Sequence, residues 1–376
     1  MTDIPGFCES QQAWLLETIH ALVRLESPSD DKAAVDRCGA ELERRLTAMG
    51  ARIERLAQHN RGDHLRVEFG SGARQVLILG HFDTVWPVGQ LERMPLVERD
   101  GRLHGPGVFD MKSGIAVAML AVRALRGASA LDGPAVVMLL TTDEEVGSGT
   151  SRGAIEAEAR RSDAVLVMEP SLPGGAAKTS RKGCGEFELV VHGIPAHAGL
   201  DPGKGASAIL ELARQIERIA AIQDLARGIS TNVGLIGGGS RPNVVAAQAR
   251  ATIDVRVPTM ADAARVETAL RALAPTIDGT RLELTGGIDR PPLERTGGVL
   301  RLYNEAKQVA AALGRELAEG GAGGGSDGNF TAALGVPTLD GLGPSGDGAH
   351  ALHEHVVLSD LTWRAALIAG LIAGLR

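Results

Sequence analysis

Residues 76–80, Val-Leu-Ile-Leu-Gly, form an uninterrupted apolar run, and His81 and Asp83 follow it at once. Such a run reads as a buried strand ending in glycine. The residues just past its end then fall where open α/β sheets hold their ligands, outside the carboxyl ends of the strands. The pattern recurs. The apolar stretch 134–142, PAVVMLLTT, is followed by Asp143, Glu144 and Glu145, and the strand expected over 163–168 runs into Glu169. Between these runs lie helical patterns over 111–127 and 149–160, the first opened by Asp110. Strand, helix, strand, helix, strand predicts a mostly parallel sheet. Helices over 10–28 and 31–49, with capping residues at Ser29, Asp30 and Asp31, and strands near 51–57 and 64–69 precede it.

Near residues 173–177 the character changes. Residues 183–193 alternate as a half-exposed strand does, and a helix over 205–226, strands over 231–236 and 247–257, a helix over 261–274 and a strand over 280–285 follow. That βαββαβ order is the ferredoxin-like split sandwich. The expected organisation is therefore a catalytic α/β domain over 1–175 and 287–376, interrupted by an inserted domain over 176–286. In the resumed part come a helix over 297–313, a Gly-rich loop over 320–328 and a closing helix over 359–375.

Composition excludes several classes. The net charge of −7, without a basic patch carrying interleaved aromatics, argues against nucleic-acid binding. No apolar run reaches the ~18 residues of a membrane span. The first residues lack a basic segment followed by an apolar core, so no signal peptide is expected. Cys8, Cys38 and Cys184 are widely spaced and read as free thiols, which fits a reducing, cytoplasmic setting. The Gly-rich loop has no following Gly-Lys-Ser/Thr, so it is not a phosphate cradle.

His81, Asp83, Asp110, Glu144, Glu145, Glu169 and His350 all stand at or near the ends of expected elements. Ionised carboxylates removed from water cost several kcal/mol each unless compensated. Five of them gathered at one sheet edge call for cations, and two divalent ions ~3.5–4 Å apart are the economical solution.

GHFDTVWP, GPGVFDMKSG, TTDEEVGS, MEPS, GIPAHAG, RPNVV, GGGSDGNF and GDGAH occur in that order from residue 80 to 350. Together they resemble the zinc-dependent aminoacylase and glutamate carboxypeptidase family of metallopeptidases. HFDTVWP and GGGSDGNFTAALGVPTLDGLG are most similar to its glutamate carboxypeptidase branch. The resemblance implies a dizinc exopeptidase domain with an inserted dimerisation domain, two zinc ions per subunit, with cobalt or manganese as possible substitutes, and a homodimer. It implies that Asp110 bridges both ions, that His81 and Glu169 bind one, and that Glu145 and His350 bind the other. His353 is the alternative to His350. Asp83 would orient His81, Glu144 would act as general base, and the Asp110–Met111 peptide would be cis. His197 would reach the partner subunit's site to stabilise the oxyanion. Asn243 and Arg290 would grip the substrate's terminal carboxylate, with Arg181 and Lys182 as weaker candidates whose other reading is solvated hinge charge. Gly325, Ser326 and Asn329 would line the pocket. Where the family commonly has proline after NVV, this chain has Ala246. His20, His59, His64, His104 and His192 read as surface or structural histidines.

The function so implied is hydrolysis of the amide bond to a C-terminal, glutamate-like amino acid of a peptide or N-acyl conjugate. An N-acyl-amino-acid deacylase is the alternative within the family, and a non-catalytic binding protein on the same fold is the alternative outside it.

Overall fold

The computed structural model describes residues 3–127 and 135–375. Met1 and Thr2 of the stretch read as lacking a signal peptide, Pro134 of the strand expected over 134–142, and Arg376 lie outside the described residues. The chain forms two compact units, the first Met1–Ser180, Arg295–Ala322 and Ser326–Arg376, the second Arg181–Glu294 with Gly323–Gly325.

The first unit opens with α1 (Ile4–Ser10), α2 (Gln12–Arg24) and α3 (Lys32–Ala48). The single helix expected over 10–28 is thus two, broken at Gln11, whose ψ of 12° leaves the helix. Asp31 caps α3 by accepting a hydrogen bond from Ala34 N. Then come β1 (Arg52–Leu56), β2 (His64–Phe69), β3 (Gln75–His81), β4 (Val97–Arg99), β5 (Arg102–His104), α4 (Ser113–Gly127), β6 (Ala135–Thr141), α5 (Arg152–Ala159), β7 (Ala164–Val167) and β8 (Ala177–Arg181).

The second unit holds β9 (Gly183–His192), α6 (Ala208–Ala220), β10 (Ser230–Gly238), β11 (Gln248–Val257), α7 (Met260–Arg271) and β12 (Arg281–Arg290). Its sheet has the order β10-β11-β9-β12 with every pairing antiparallel. One face is apolar: Phe187, Leu189 and Val191 of β9 pack with Leu212 and Ile219 of α6 and Val266 and Leu270 of α7. The alternation along β9 follows from this one-sided burial. β12 runs five residues beyond the strand expected over 280–285, to Arg290. Gly286, at φ 90°, lies where an added Cβ would stand 2.1 Å from Glu186 O, so glycine there lets β12 lie close against β9 instead of ending the strand.

The first unit resumes with α8 (Gly297–Ala312), β13 (Glu319–Ala322), α9 (Gly328–Ala333), β14 (Thr338–Leu339), β15 (Gly346–Asp347), β16 (His355–Val357) and α10 (Leu361–Gly374). β8 pairs with β13, so residues 177–180 belong to the first unit and the boundary falls later than 176. The central sheet has the order β1-β2-β6-β3-β7-β14, parallel from β6 to β14 and antiparallel at the β1–β2 and β2–β6 edge. This is the mostly parallel α/β architecture that the alternating runs predict.

Both faces of the sheet are covered, which is why its strands read as unbroken apolar runs. Val76 and Ile78 of β3, Met138 of β6 and Leu166 of β7 join one core cluster that includes Val117, Leu120 and Ala121 of α4 and Leu367 and Ile368 of α10. Leu77, Leu79, Val137, Leu139, Val165 and Val167 join another with Ile155 and Ala159 of α5. Each such aliphatic side chain contributes roughly 1.5–3 kcal/mol by its burial. Among the described residues no helix is long and apolar enough to cross a membrane.

Candidate metal centre

Parallel register delivers the strand ends to one edge. His81 pairs with Thr141, so Asp143, Glu144 and Glu145 begin two residues past the end of β6 at the level of His81. Leu79 pairs with Val167, and Met168 N donates to Leu79 O at 2.9 Å, which carries Glu169 to the same edge. Asp110 comes from the turn ahead of α4. The helix expected over 111–127 starts at Ser113, because Asp110 (φ −113°, ψ 97°) and Met111 (φ −133°, ψ 31°) depart from helical dihedrals. The Asp110–Met111 peptide is cis. His350, at φ 60°, sits in the loop of the β15–β16 hairpin.

These residues form two groups. The ligand atoms of His81, Asp110 and Glu169 lie within 4.8 Å of one another, and so do those of Asp110, Glu145 and His350. Asp110 is common to both. His81 Nε2 is 3.3 Å from Asp110 Oδ1 and 3.5 Å from Glu169 Oε1. His350 Nε2 is 3.0 Å from Glu145 Oε2 and 3.6 Å from Asp110 Oδ2. His353 joins neither group; its Nε2 stands 3.8 Å from Asp347 Oδ2.

Asp83 is completely buried behind His81. His81 Nδ1 lies 3.1 Å from the Asp83 carbonyl and 3.4 Å from its Oδ1, which leaves Nε2 facing the acidic cluster. Asp83 Oδ2 accepts from Ser29 Oγ at 2.7 Å and from Glu145 N at 3.3 Å, tying the supports of the two groups together. Glu144 opens the short turn Glu144–Val146 beside Glu145 and is half-buried. Asp327, buried, accepts from Thr141 Oγ1 at 3.1 Å and from Ser148 Oγ, bracing both ends of that acidic turn.

Electrostatics report the excess of negative charge. Burial by itself would lower the His81 pKa, but the carboxylates of Asp110, Asp83 and Glu169 outweigh it and hold the pKa well above the ordinary imidazole range. His350 is raised to about 9, chiefly by its hydrogen bond to Glu145. Burial, with Asp110 nearby, pushes Glu145 up. Cations held here would relieve the same excess of negative charge. The fit to metal is direct: among the described residues, His81 Nε2, Asp110 Oδ1 and Glu145 Oε1 are buried polar atoms without a hydrogen-bond partner. Buried polar groups are ordinarily satisfied, and three orphaned donor atoms within two ligand-sized groups are what a metal would complete.

The substrate-side candidates divide between the units. In the second, His197 is exposed, and its Nδ1 accepts from Gly199 N and Leu200 N, each at 3.1 Å. Its segment bridges to Val244, and Asn243 O accepts from Ala198 N at 2.9 Å, so His197 and Asn243 share one locale. Arg290 is buried in β12, opposite Cys184. An added Cβ on Gly325 would lie 2.6 Å from Arg290 Cδ, so glycine is required for that approach. Arg181 is also buried and donates to the carbonyls of Gly324 (3.2 Å) and Gly325 (3.1 Å). In the first unit Ser326 and Asn329 are fully buried; Ser326 Oγ donates to Asp340 Oδ2 at 2.6 Å, and Asn329 Oδ1 accepts from Ser326 N. Cys8, Cys38 and Cys184 are all free thiols.

A family model described as Peptidase family M20/M25/M40 matches residues 77–374. The chain belongs to this family. Among the M20 relatives, carboxypeptidase G2 of Pseudomonas sp. (strain RS-16) is 28% identical over 376 residues, covering 97% of this chain and 90% of that protein. Succinyl-diaminopimelate desuccinylase of Xanthomonas oryzae pv. oryzae (strain PXO99A) is 31% identical over 357 residues, covering 89% and 92%. The crystal structure of aminopeptidase PepT from Bacillus cereus superposes with a TM-score of 0.80 at 22% identity, over 96% of this chain and 98% of that one, and shows the shared fold. The chain is therefore an M20 metallohydrolase of peptidase or desuccinylase type.

The small sheet β15-β16-β5-β4 that holds the His350 loop, and the contact of Ser29 with Asp83, leave no mark in the sequence. Strands of two or three residues carry too little periodicity to be read. Ser29 was visible only as a capping residue.

Proposed function

We propose that the chain is a dizinc exopeptidase that releases a C-terminal, glutamate-like amino acid from a peptide or N-acyl conjugate. The observation that carries this is the pair of ligand groups sharing Asp110, with orphaned donor atoms on His81, Asp110 and Glu145. His81, Asp110 and Glu169 would hold one ion, and Asp110, Glu145 and His350 the other. Such ions polarise a carbonyl and lower the pKa of water, which is the chemistry amide hydrolysis needs.

The chain's own residues do the rest. Asp83 keeps His81 in its ligating tautomer. Glu144 accepts a proton from the attacking water and returns it to the leaving amine. His197 supports the oxyanion: because Nδ1 accepts two backbone N–H groups, the neutral ring carries its proton on Nε2 and is a donor there. Arg290 offers a fork suited to the substrate's terminal carboxylate, with Asn243 as a second donor. The protein acts as a homodimer through its second unit, and His197 serves the partner's site.

The 31% identity to a desuccinylase favours one further reading, deacylation of an N-acyl amino acid by the same chemistry. A screen of zinc-loaded protein against dipeptides, N-acyl glutamates, their α-amides and succinyl-diaminopimelate separates the two. Glutamate release from peptidyl and acyl donors alike, abolished by amidation of the α-carboxyl, is expected. Turnover of succinyl-diaminopimelate alone would establish the second reading.

A further inference from the structure

Glu354 lies four residues past His350 and is almost entirely buried. Its carboxylate has no cationic partner among the described residues; all four of its donors are neutral N–H groups. Oε1 accepts from Phe109 N at 2.9 Å and Asp110 N at 3.1 Å, while Oε2 accepts from Gly107 N at 2.9 Å and Trp86 Nε1 at 2.8 Å. The donors come from two segments distant in sequence, the 107–110 turn that presents Asp110 and the loop that leaves His81 and Asp83. The acceptor belongs to a third, the hairpin loop that carries His350, where Glu354 N donates to Ala351 O at 3.0 Å and Gly105 N donates to Glu354 O at 3.3 Å.

We propose that Glu354 is a positioning residue that fixes Asp110 relative to His350 and so builds the ion position formed by Asp110, Glu145 and His350. This rests on the two-metal reading above. A buried carboxylate is retained only where its lone pairs are filled, and here the filling is done by backbone groups of the ligand-bearing turn. Two of these donors flank the residue common to both ligand groups, Asp110 N itself and Phe109 N. His81 and Glu169 are placed by the parallel register of β3 and β7, so the ion they share with Asp110 keeps two ligands that the strands themselves hold, whereas His350 lies on the hairpin loop that carries Glu354. The two ion positions therefore differ in what supports them.

Glutamine is the informative replacement. Whichever way its amide is turned, the NH2 group faces two N–H donors that a carboxylate oxygen accepted. The experiment is a chelator titration of zinc-loaded wild type and Glu354→Gln, with zinc per chain as the readout and the melting temperature of each metal-free protein alongside. Wild type should hold two ions. The variant should lose one of them at roughly 10- to 100-fold lower chelator strength and keep the other near the wild-type value, the range usual for supports of metal ligands. A merely structural role would weaken both ions together and lower the metal-free melting temperature in step, and that result would overturn the proposal, as would two ions held with wild-type affinity. If Glu354→Gln yields no folded protein, Trp86→Phe removes one donor and leaves the carboxylate in place. It should weaken the same single ion by about two- to tenfold, and an unchanged affinity there would also overturn the proposal. Wild type that never binds two ions would instead refute the two-metal reading, so the two failures are distinguishable.

Discussion

The hydroxyl of Ser29 donates to Asp83 Oδ2 across 2.7 Å, and both residues are buried. Asp83 meets His81 through its carbonyl and its other carboxylate oxygen. Ser29, on the segment between α2 and α3, thereby supports a metal ligand at one remove. Ser29→Ala should leave Asp83 short of one donor, weaken zinc binding by up to about tenfold, and reduce turnover by a similar factor. Asp83→Asn, which changes the group in contact with the imidazole, should cost about 10- to 100-fold. Competition with a chromogenic chelator measures both.

Glu144→Ala should retain two ions per chain and lose roughly 10²–10⁴ in kcat, because a base outside the ligand set can be removed without opening the metal site. Metal analysis beside steady-state kinetics checks it. Loss of zinc in step with activity would make Glu144 a ligand and reverse its assignment with Glu145.

Metal uptake should be coupled to proton release. His350 has a pKa of about 9 in the metal-free chain, raised first by its hydrogen bond to Glu145, so it is protonated at pH 7–8, whereas ligation needs the neutral ring. Apparent affinity at its position should climb about tenfold per pH unit from neutrality and level off near pH 9. The sign for stability is the reverse. A histidine whose folded pKa lies above its unfolded value stabilises the metal-free fold fully below about pH 6.5, and that contribution disappears as pH rises through about 9. Calorimetric titration with zinc in buffers of differing ionisation enthalpy counts the released protons, and a pH-independent affinity would contradict the assignment of His350.

Two inactive variants should complement each other. In a hybrid of His197→Ala with Glu144→Ala, one of the two sites contains an intact Glu144 and receives an intact His197 from its partner. With random exchange half the dimers are hybrids, so activity should return to about one quarter of the wild-type level. No recovery after demonstrated subunit exchange would mean that His197 serves its own subunit or has no catalytic part.

What could be read from the amino-acid sequence alone was everything whose signal is local. The runs at 76–80 and 163–168 are apolar because their strands are covered on both faces, and a charged residue directly after such a run is conspicuous in one dimension. His81, Glu145 and Glu169 stood out for that reason, and the order of strands and helices was enough for the mostly parallel sheet and the βαββαβ insertion. Tertiary structure alone decided which polar groups are shared between distant segments. Glycines at 286 and 287 look like the end of a strand, yet β12 continues past them to Arg290, and at Gly286 the backbone of β9 takes the space a side chain would fill. Arg181 sits beside Lys182 in a stretch that reads as solvated, yet it is buried and bonded to the glycine loop. Nothing local in the sequence tells what Ser29 and Glu354 bond, since a hydroxyl or carboxylate takes its meaning from partners 54 or some 245 residues away. Local sequence sets which backbone a segment adopts; only the packed chain determines which hydrogen-bonding groups lose water together and must therefore satisfy one another.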